Sequence, residues 1–160
     1  MYSGSLKGAA LALVTVAALA TPAQATTTKP VGDLVPAGLN VLTWRYPLVV
    51  GGGKETTGVK VVTNRGVVAE VRTLINSLPV TVPDPRRICP ADIMRPFSVG
   101  FSRTRGSAVV TNVVFQLGGC PYAQVYQRGV KISPTLGGAH LATTYARIQK
   151  LISPQGVPLG

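Results

Sequence analysis

Hydrophobic residues recur at helical spacing in two segments of the chain. In the first, positions i, i+4, i+7, i+8 and i+11 are apolar and share one face of a helix: Val67, Val71, Leu74, Ile75 and Leu78. Asn64 is a suitable N-cap residue, and Pro79 ends the run. In the second segment the apolar positions are Leu141, Tyr145, Ile148 and Ile152. The pattern therefore predicts two amphipathic helices, over residues 67–78 and 141–152.

The other segments show the composition and alternation of strands. Residues 39–46 are rich in β-formers and precede a glycine-rich loop at 51–58 and a short strand at 59–62. In residues 97–102, aromatic and β-branched side chains alternate with small ones, and strands at 108–117, 122–127 and 130–132 continue a meander. Strands and helices thus occur in separate runs. This order predicts an α+β fold, an antiparallel sheet of four or five strands with two helices packed on one face.

The first 25 residues resemble a secretory signal peptide. Lys7 precedes an apolar run at 8–20, and Ala23-Gln24-Ala25 is a typical cleavage site. The apolar run is too short to span a bilayer, and no later segment is apolar for long enough. We therefore expect secretion of residues 26–160, with no transmembrane segment after cleavage; a retained membrane anchor is the alternative. The mature chain divides into a flexible arm (26–38), a single α+β domain (39–153) and a tail (154–160).

The chain is strongly cationic. Sixteen Lys and Arg residues face five Asp and Glu residues, and the isoelectric point is about 10.4. Arginine outnumbers lysine and Ala, Val, Gly, Thr and Pro are abundant, which suggests an actinobacterial, high-G+C source. The charge favours polyanionic partners such as anionic wall polymers, acidic lipids or an acidic protein, although it also serves plain solubility. Nucleic acid is not favoured, because the aromatic residues near the arginines fit the core-facing side of a strand.

The sequence offers little material for catalysis. It has five carboxylates, no two of which share a predicted strand or helical turn: Asp33, Glu55, Glu70, Asp84 and Asp92. A paired general acid and base is therefore not expected. His140 is the sole histidine, which argues against multi-histidine metal sites and catalytic triads. We expect a binding protein rather than an enzyme, and we expect no cofactor or metal.

Two cysteines, Cys89 and Cys120, lie 31 positions apart. In an exported chain they are expected to form one disulfide, because the compartment is oxidising. Closing a loop of this length stabilises a fold by about 3–4 kcal/mol. A catalytic thiol paired with His140 is the alternative. Cys89 lies within residues 77–97, a stretch that holds five of the thirteen prolines.

The order of features around this stretch resembles the Streptomyces subtilisin inhibitor family, exported blockers of serine proteases. In that family a helix precedes a loop with a Cys-Pro pair, and a proline, a β-hairpin and the partner cysteine follow. Here the corresponding features are Cys89-Pro90, Pro96, the hairpin over 97–117 and Cys120. The resemblance covers about residues 38–120. It implies a protein-binding domain that inhibits an extracellular serine protease through a rigid loop.

The resemblance also implies roles for individual residues. Ala91 would occupy the specificity position, and the Ala91–Asp92 bond would be the reactive bond. Ile88 and Pro90 would contact the protease upstream of that bond, and Ile93 would contact it downstream.

The chain departs from the family pattern in several places. It lacks the cysteines of the family's second disulfide, and Asp92 is an acid where the family has an uncharged residue. It has one additional residue between Pro90 and Pro96, and its tail ends in a predicted helix where the family has a strand. The chain is also similar to small exported actinobacterial domains of no known function. Retention of the fold without inhibition, and a connector cross-linked only for stability, are thus the alternatives.

Overall fold

The computed structural model describes residues 27–28, 32–50, 54–81, 96–154 and 157–158. Its strands and helices follow this order along the chain: β1 (Thr27–Thr28), β2 (Val41–Val50), β3 (Lys54–Val62), α1 (Arg65–Asn76), β4 (Val80–Thr81), β5 (Phe97–Ser102), β6 (Thr111–Gln116), β7 (Tyr122–Gln127), β8 (Val130–Lys131), α2 (Leu141–Ile152) and β9 (Val157–Pro158). Among these residues, neither helix is long and apolar enough to cross a membrane.

The fold is α+β, as predicted. Seven strands form an antiparallel sheet in the order β8-β7-β6-β5-β2-β3-β9, and β1 pairs with β4. The prediction of four or five strands was too low. The five strands of six to ten residues match it, but β8 and β9, of two residues each, extend the sheet at its edges. A strand of two residues is too short to show an alternating hydrophobic pattern. Its position depends on pairing with the neighbouring strand, so the sequence does not predict it.

One face of the sheet forms the core with the two helices. The cross-strand register aligns Trp44 with Val99, Val99 with Val113, and Val113 with Val125, and all four side chains are buried. Buried residues of α1 and α2 belong to the same hydrophobic cluster. The apolar residues that alternate in 97–101 therefore form one face of the sheet, and the apolar residues at helical spacing form one face of each helix. These faces pack together in a single core.

The helices form where local signals are strong. The Asn64 side chain accepts hydrogen bonds from the backbone N–H groups of Gly66 and Val67, at 3.0 and 3.3 Å. It thereby caps α1, as predicted. The helix ends at Asn76, two residues before the predicted end, and α2 has the predicted bounds.

Residues on both sides of the predicted domain, 39–153, pack against it. Leu34 and Val35, which fall in the predicted arm, are buried in the core. Asn76 fixes this segment, because its side chain accepts from Val35 N at 2.9 Å and donates to Val35 O at 3.1 Å. At the other end, β9 in the predicted tail pairs with β3. A segment without hydrophobic periodicity can still pack against the core of the domain. Periodicity in the sequence does not predict this kind of packing.

The predicted loop at 51–58 is partly a strand. Residues 54–58 belong to β3 and pair with the second half of β2, despite their glycine and polar content. Gly58 lies directly under the ring of Tyr46, where a Cβ atom would overlap the ring. The aromatic side chain thus fills the space that the glycine leaves, and its ring also contacts Trp44 at a centroid distance of 4.5 Å.

Candidate functional site

The predicted reactive loop lies outside the residues that the structure describes. Ile88, Cys89, Pro90, Ala91, Asp92 and Ile93 all fall within the segment 82–95, which we call the Cys-Pro segment. The surroundings of this segment are described, and they define where it leaves and rejoins the sheet.

The residues that flank the Cys-Pro segment lie in one transverse row of paired strands. Val80 faces Leu136, and Leu136 faces Ala123. Ala123 faces Phe115 on the next strand, which in turn faces Phe97, at the start of β5. Four interstrand spacings separate Val80 from Phe97, which is about 19 Å. Fourteen residues can span about 46 Å when extended, so the segment is far longer than the gap that it bridges.

Cys120 lies in the turn between these two ends. It follows β6 and precedes β7, whose end pair is Gln116 and Tyr122. This pair is one position beyond the row of Phe115 and Ala123. Cys120 is not a free thiol in the structure, and Cys89, the other cysteine of the chain, is the eighth residue of the Cys-Pro segment. The disulfide between Cys89 and Cys120 remains a prediction. The position of Cys89 near the middle of the long segment is compatible with a bond to the turn that contains Cys120.

A second region of interest is the sheet face opposite to the helices, which we call the open face. Its side chains belong to two cross-strand rows, Arg45–Ser98–Val114–Gln124 and Thr43–Gly100–Asn112–Tyr126–Lys131. Successive residues of a strand point to opposite faces. Because Trp44, Val99, Val113 and Val125 point to the core, these rows point away from both helices.

The open face contains a shallow groove of about 490 Å³. Arg45 and Arg128 line it together with Asn112, Val114, Tyr126 and the loop residue Val109. Both arginines are exposed, whereas the other four side chains are half-buried. None of the described carboxylates, which are those of Asp33, Glu55 and Glu70, lines the groove. Its charge is therefore positive.

Two polar side chains in this groove have distinct hydrogen-bonding states. The Tyr126 hydroxyl donates to Gln124 Oε1 at 2.8 Å, which fixes the ring in place. The side-chain oxygen of Asn112 is buried and accepts no hydrogen bond in the structure. Buried acceptors without a donor are uncommon in folded proteins. Val109 crowds this area, since its methyl groups lie 3.1 and 3.2 Å from where a Cβ of Gly100 would be.

The residues considered for catalysis are dispersed. His140 is exposed at the start of α2, and its side chain makes no capping hydrogen bond. Asp33 accepts a hydrogen bond from the Asn76 amide at 3.3 Å, and Glu70 is exposed on α1. In the described ranges, no three His, Cys, Asp or Glu residues are grouped so that they could hold a metal ion. Asp84 and Asp92 lie outside those ranges.

One buried titratable group belongs to the core. Tyr145 on α2 is 8 % exposed and contacts the rings of Phe97 and Phe115, at centroid distances of 4.8 and 6.1 Å. Burial raises the pKa of Tyr145 to about 12, because the phenolate would lose its hydration. The group is therefore neutral at physiological pH and serves packing.

These observations define the class of protein: a small α+β domain whose antiparallel sheet has helices on one face, with a cationic groove on the other. No family model, curated protein or solved structure matches the chain. The open face was not among the predicted sites. Its only signal in the sequence is the polar half of each alternating strand, which also suits a solvated surface.

Proposed function

We propose that this protein is an exported, non-catalytic binding domain that inhibits an extracellular serine protease through the Cys-Pro segment. One observation supports this most: Val80 and Phe97, which flank the segment, lie in a single row of paired strands, and the turn of Cys120 lies between their strands. β4 runs parallel to β7, away from that turn, and a segment more than twice as long as the gap has enough length to return to it.

The physical requirements of inhibition fit such an arrangement. An inhibitor of this type offers its loop as a substrate, so the loop must already have an extended and rigid shape when it binds. Rigidity lowers the ordering cost of association. Prolines restrict φ, and a disulfide near the reactive bond would keep the two sides of that bond together. The Cys-Pro segment has three prolines and a cysteine, and Pro96 follows it directly.

The proposed reactive bond is Ala91–Asp92. The small Ala91 side chain suits a protease with a small or permissive specificity pocket, as in elastase-type enzymes or subtilisins. Ile88 and Pro90 would contact the enzyme on one side of this bond, and Ile93 would contact it on the other. Cys89, two residues before Ala91, would join this part of the loop to Cys120.

The first experiment is a titration of subtilisin-type and elastase-type proteases with the purified chain. We expect stoichiometric inhibition and slow cleavage at Ala91–Asp92. The Ala91→Lys variant should lose potency against elastase-type enzymes and gain it against trypsin-type enzymes, because an aspartate in the trypsin pocket pairs with a basic side chain. Ala142→Lys is the matched control, since Ala142 is exposed on α2 and carries the same change away from the Cys-Pro segment.

Two results would contradict the proposal. One is the absence of both inhibition and specific cleavage with all three classes of protease. The other is a change in specificity that Ala142→Lys produces as strongly as Ala91→Lys, since that would reflect net charge rather than a reactive loop.

A second candidate function is that of a cationic accessory protein of the cell wall or surface, which binds anionic polymers without inhibiting a protease. The observation that favours it is the groove on the open face, which two exposed arginines line and no described carboxylate does. Positive potential without neighbouring negative charge attracts polyanions and accelerates their association. Binding of anionic polymers that weakens steeply with added salt would support this function.

A further inference from the structure

We infer that the outer half of the β2–β3 hairpin is a second contact surface for the protease, beside the Cys-Pro segment. This part of the hairpin, which we call the ribbon, consists of residues 46–50 of β2 and 54–58 of β3. The inference rests on the proposed protease inhibition and deepens it, because it names a surface outside the loop that the same partner would contact. The position, the packing and the composition of the ribbon carry it.

The ribbon extends beyond the rest of the sheet. β2 pairs with β3 over residues 42–50, whereas it pairs with β5 only over residues 41–45. Four positions of β2 follow the row of Tyr46 and Phe97, and each rises about 3.4 Å, so the ribbon projects about 14 Å from that row. On the outer side of β3, β9 pairs only with residues 60–61. Among the described strands, none flanks the ribbon.

Two prolines end the pairing between β2 and β5. The Phe101 carbonyl accepts from Val110 N on the β6 side, so the even-numbered residues of β5 direct their N–H and C=O groups towards β2. Continuing the register would place Pro96 opposite Pro47 at the next such position. Proline has no N–H group to donate, so this pair cannot extend the ladder. β2 therefore continues into the ribbon without β5.

The proposed reactive bond is tied to the same end of the sheet. Asp92 precedes Phe97 by five residues, so their Cα atoms are at most about 18 Å apart whatever the conformation between them. β5 begins at Phe97, at the end from which the ribbon projects. A globular domain of about 200 residues has a radius of gyration of about 16 Å and is therefore more than about 30 Å wide. A protease of this size that holds the Ala91–Asp92 bond lies within reach of the ribbon.

The base of the ribbon is packed against the core. The Tyr46 ring lies over Gly58 and contacts the ring of Trp44, which is buried. Leu48 lies on the same side of the ribbon as Tyr46, since side chains two positions apart on a strand share a face. The ribbon therefore presents Leu48 from a supported position, and a supported surface loses little conformational freedom on binding.

The composition of the ribbon suits contact with a protein surface. Its only charged residues are Lys54 and Glu55, one of each sign, in a chain with a formal net charge of +11. Leu48 is 42 % exposed and pairs with Thr56, which is also exposed. Protein interfaces are depleted of charged residues at their centre. A strip without net charge and with an exposed leucine thus suits an apolar area of the protease surface.

The test measures inhibition constants of the purified chain and its variants against the subtilisin-type and elastase-type proteases. Leu48→Glu should raise the inhibition constant by about three- to tenfold, because the apolar contact of a partly exposed leucine is lost. The change should appear mainly as faster dissociation. Val130→Glu is the matched control, because Val130 is 66 % exposed on β8, at the opposite end of the sheet. It should leave the inhibition constant within about twofold of the wild type.

Urea unfolding separates contact with the protease from folding. Leu48→Glu should unfold at the same urea concentration as the wild type, because the side chain is exposed. If its midpoint is lower, Thr56→Glu replaces it in the test, since Thr56 is exposed on the same side of the ribbon and its substitution removes no large apolar group. Thr56→Glu should also raise the inhibition constant.

Three results would overturn the inference in distinguishable ways. If the wild type inhibits a protease and the ribbon variants inhibit it equally well, the ribbon is not a contact surface, although protease inhibition stands. If Val130→Glu weakens inhibition as much as Leu48→Glu, the effect reflects net charge and the assignment to the ribbon is wrong. If the wild type inhibits none of the proteases, both the inference and the proposed inhibition are wrong, and the second candidate function is unaffected.

Discussion

Replacing Gly137 by alanine should destabilise the domain strongly. Gly137 is buried and has φ = +102°, a conformation that L-residues rarely adopt. A Cβ at this position would lie 2.7 Å from Leu141 Cδ1 and 2.9 Å from Leu141 Cβ. Leu141 is fully buried, so it has little room to move. With ψ = −57°, this sparsely populated backbone conformation costs about 1–3 kcal/mol and the overlap another 1–3 kcal/mol, so Gly137→Ala should lower the free energy of unfolding by about 2–6 kcal/mol.

Gly129→Ala is the matched control for this prediction. Gly129 has φ = +84°, and a Cβ there would have no atom within 4 Å. This variant should therefore show only the backbone cost of about 1–2 kcal/mol. Urea unfolding followed by the fluorescence of Trp44, the single tryptophan, measures both. If Gly137→Ala is no less stable than Gly129→Ala, the packing between residue 137 and Leu141 does not constrain this turn, and the argument is wrong.

Two further predictions concern the cross-link and a buried phenol. Cys120→Ser should lower the free energy of unfolding by about 3–4 kcal/mol and accelerate cleavage at Ala91–Asp92. In the control, wild-type protein treated with reductant should unfold at the same urea concentration as the variant. If reductant leaves the urea midpoint of the wild type unchanged, the disulfide is excluded. The pKa of Tyr145 is raised to about 12, so the unfolded chain loses the phenolic proton near pH 10 while the folded chain keeps it. Wild-type stability should therefore fall by about 1.4 kcal/mol per pH unit between pH 10 and 12 relative to Tyr145→Phe, and parallel pH profiles would show that Tyr145 is accessible to water.

The elements that the sequence predicted well are those with local signals. Both helices have an apolar period, and α1 also has the cap at Asn64, which depends only on neighbouring backbone groups. The alternation in β5 likewise reflects one buried face. By contrast, residues 54–58 form a strand because β2 lies beside them and Tyr46 covers Gly58. That stabilisation comes from a partner strand, so the glycine-rich composition alone predicted a loop.

The candidate sites differ in how far the sequence could reach them. The Cys-Pro segment was identified by its prolines, its cysteine and a resemblance, all of which are contiguous in the chain. The open face is not contiguous, since the register brings Arg45 beside Ser98 and Ser98 beside Val114. Those positions are far apart in sequence, and each alone looks like an ordinary solvated residue. Only the strand order shows that they form one surface.

A surface that serves solubility alone would be expected to carry charges of both signs, because mixed charges avoid the repulsion that a single sign creates. The groove on the open face does not fit this expectation, because Arg45 and Arg128 line it and none of the described carboxylates does. Glu55 belongs to the same face of the sheet, but it pairs with Val49, four positions along β2 from Arg45. Charge of a single sign within the groove carries a repulsive cost in the free protein, and an anionic ligand would remove that cost.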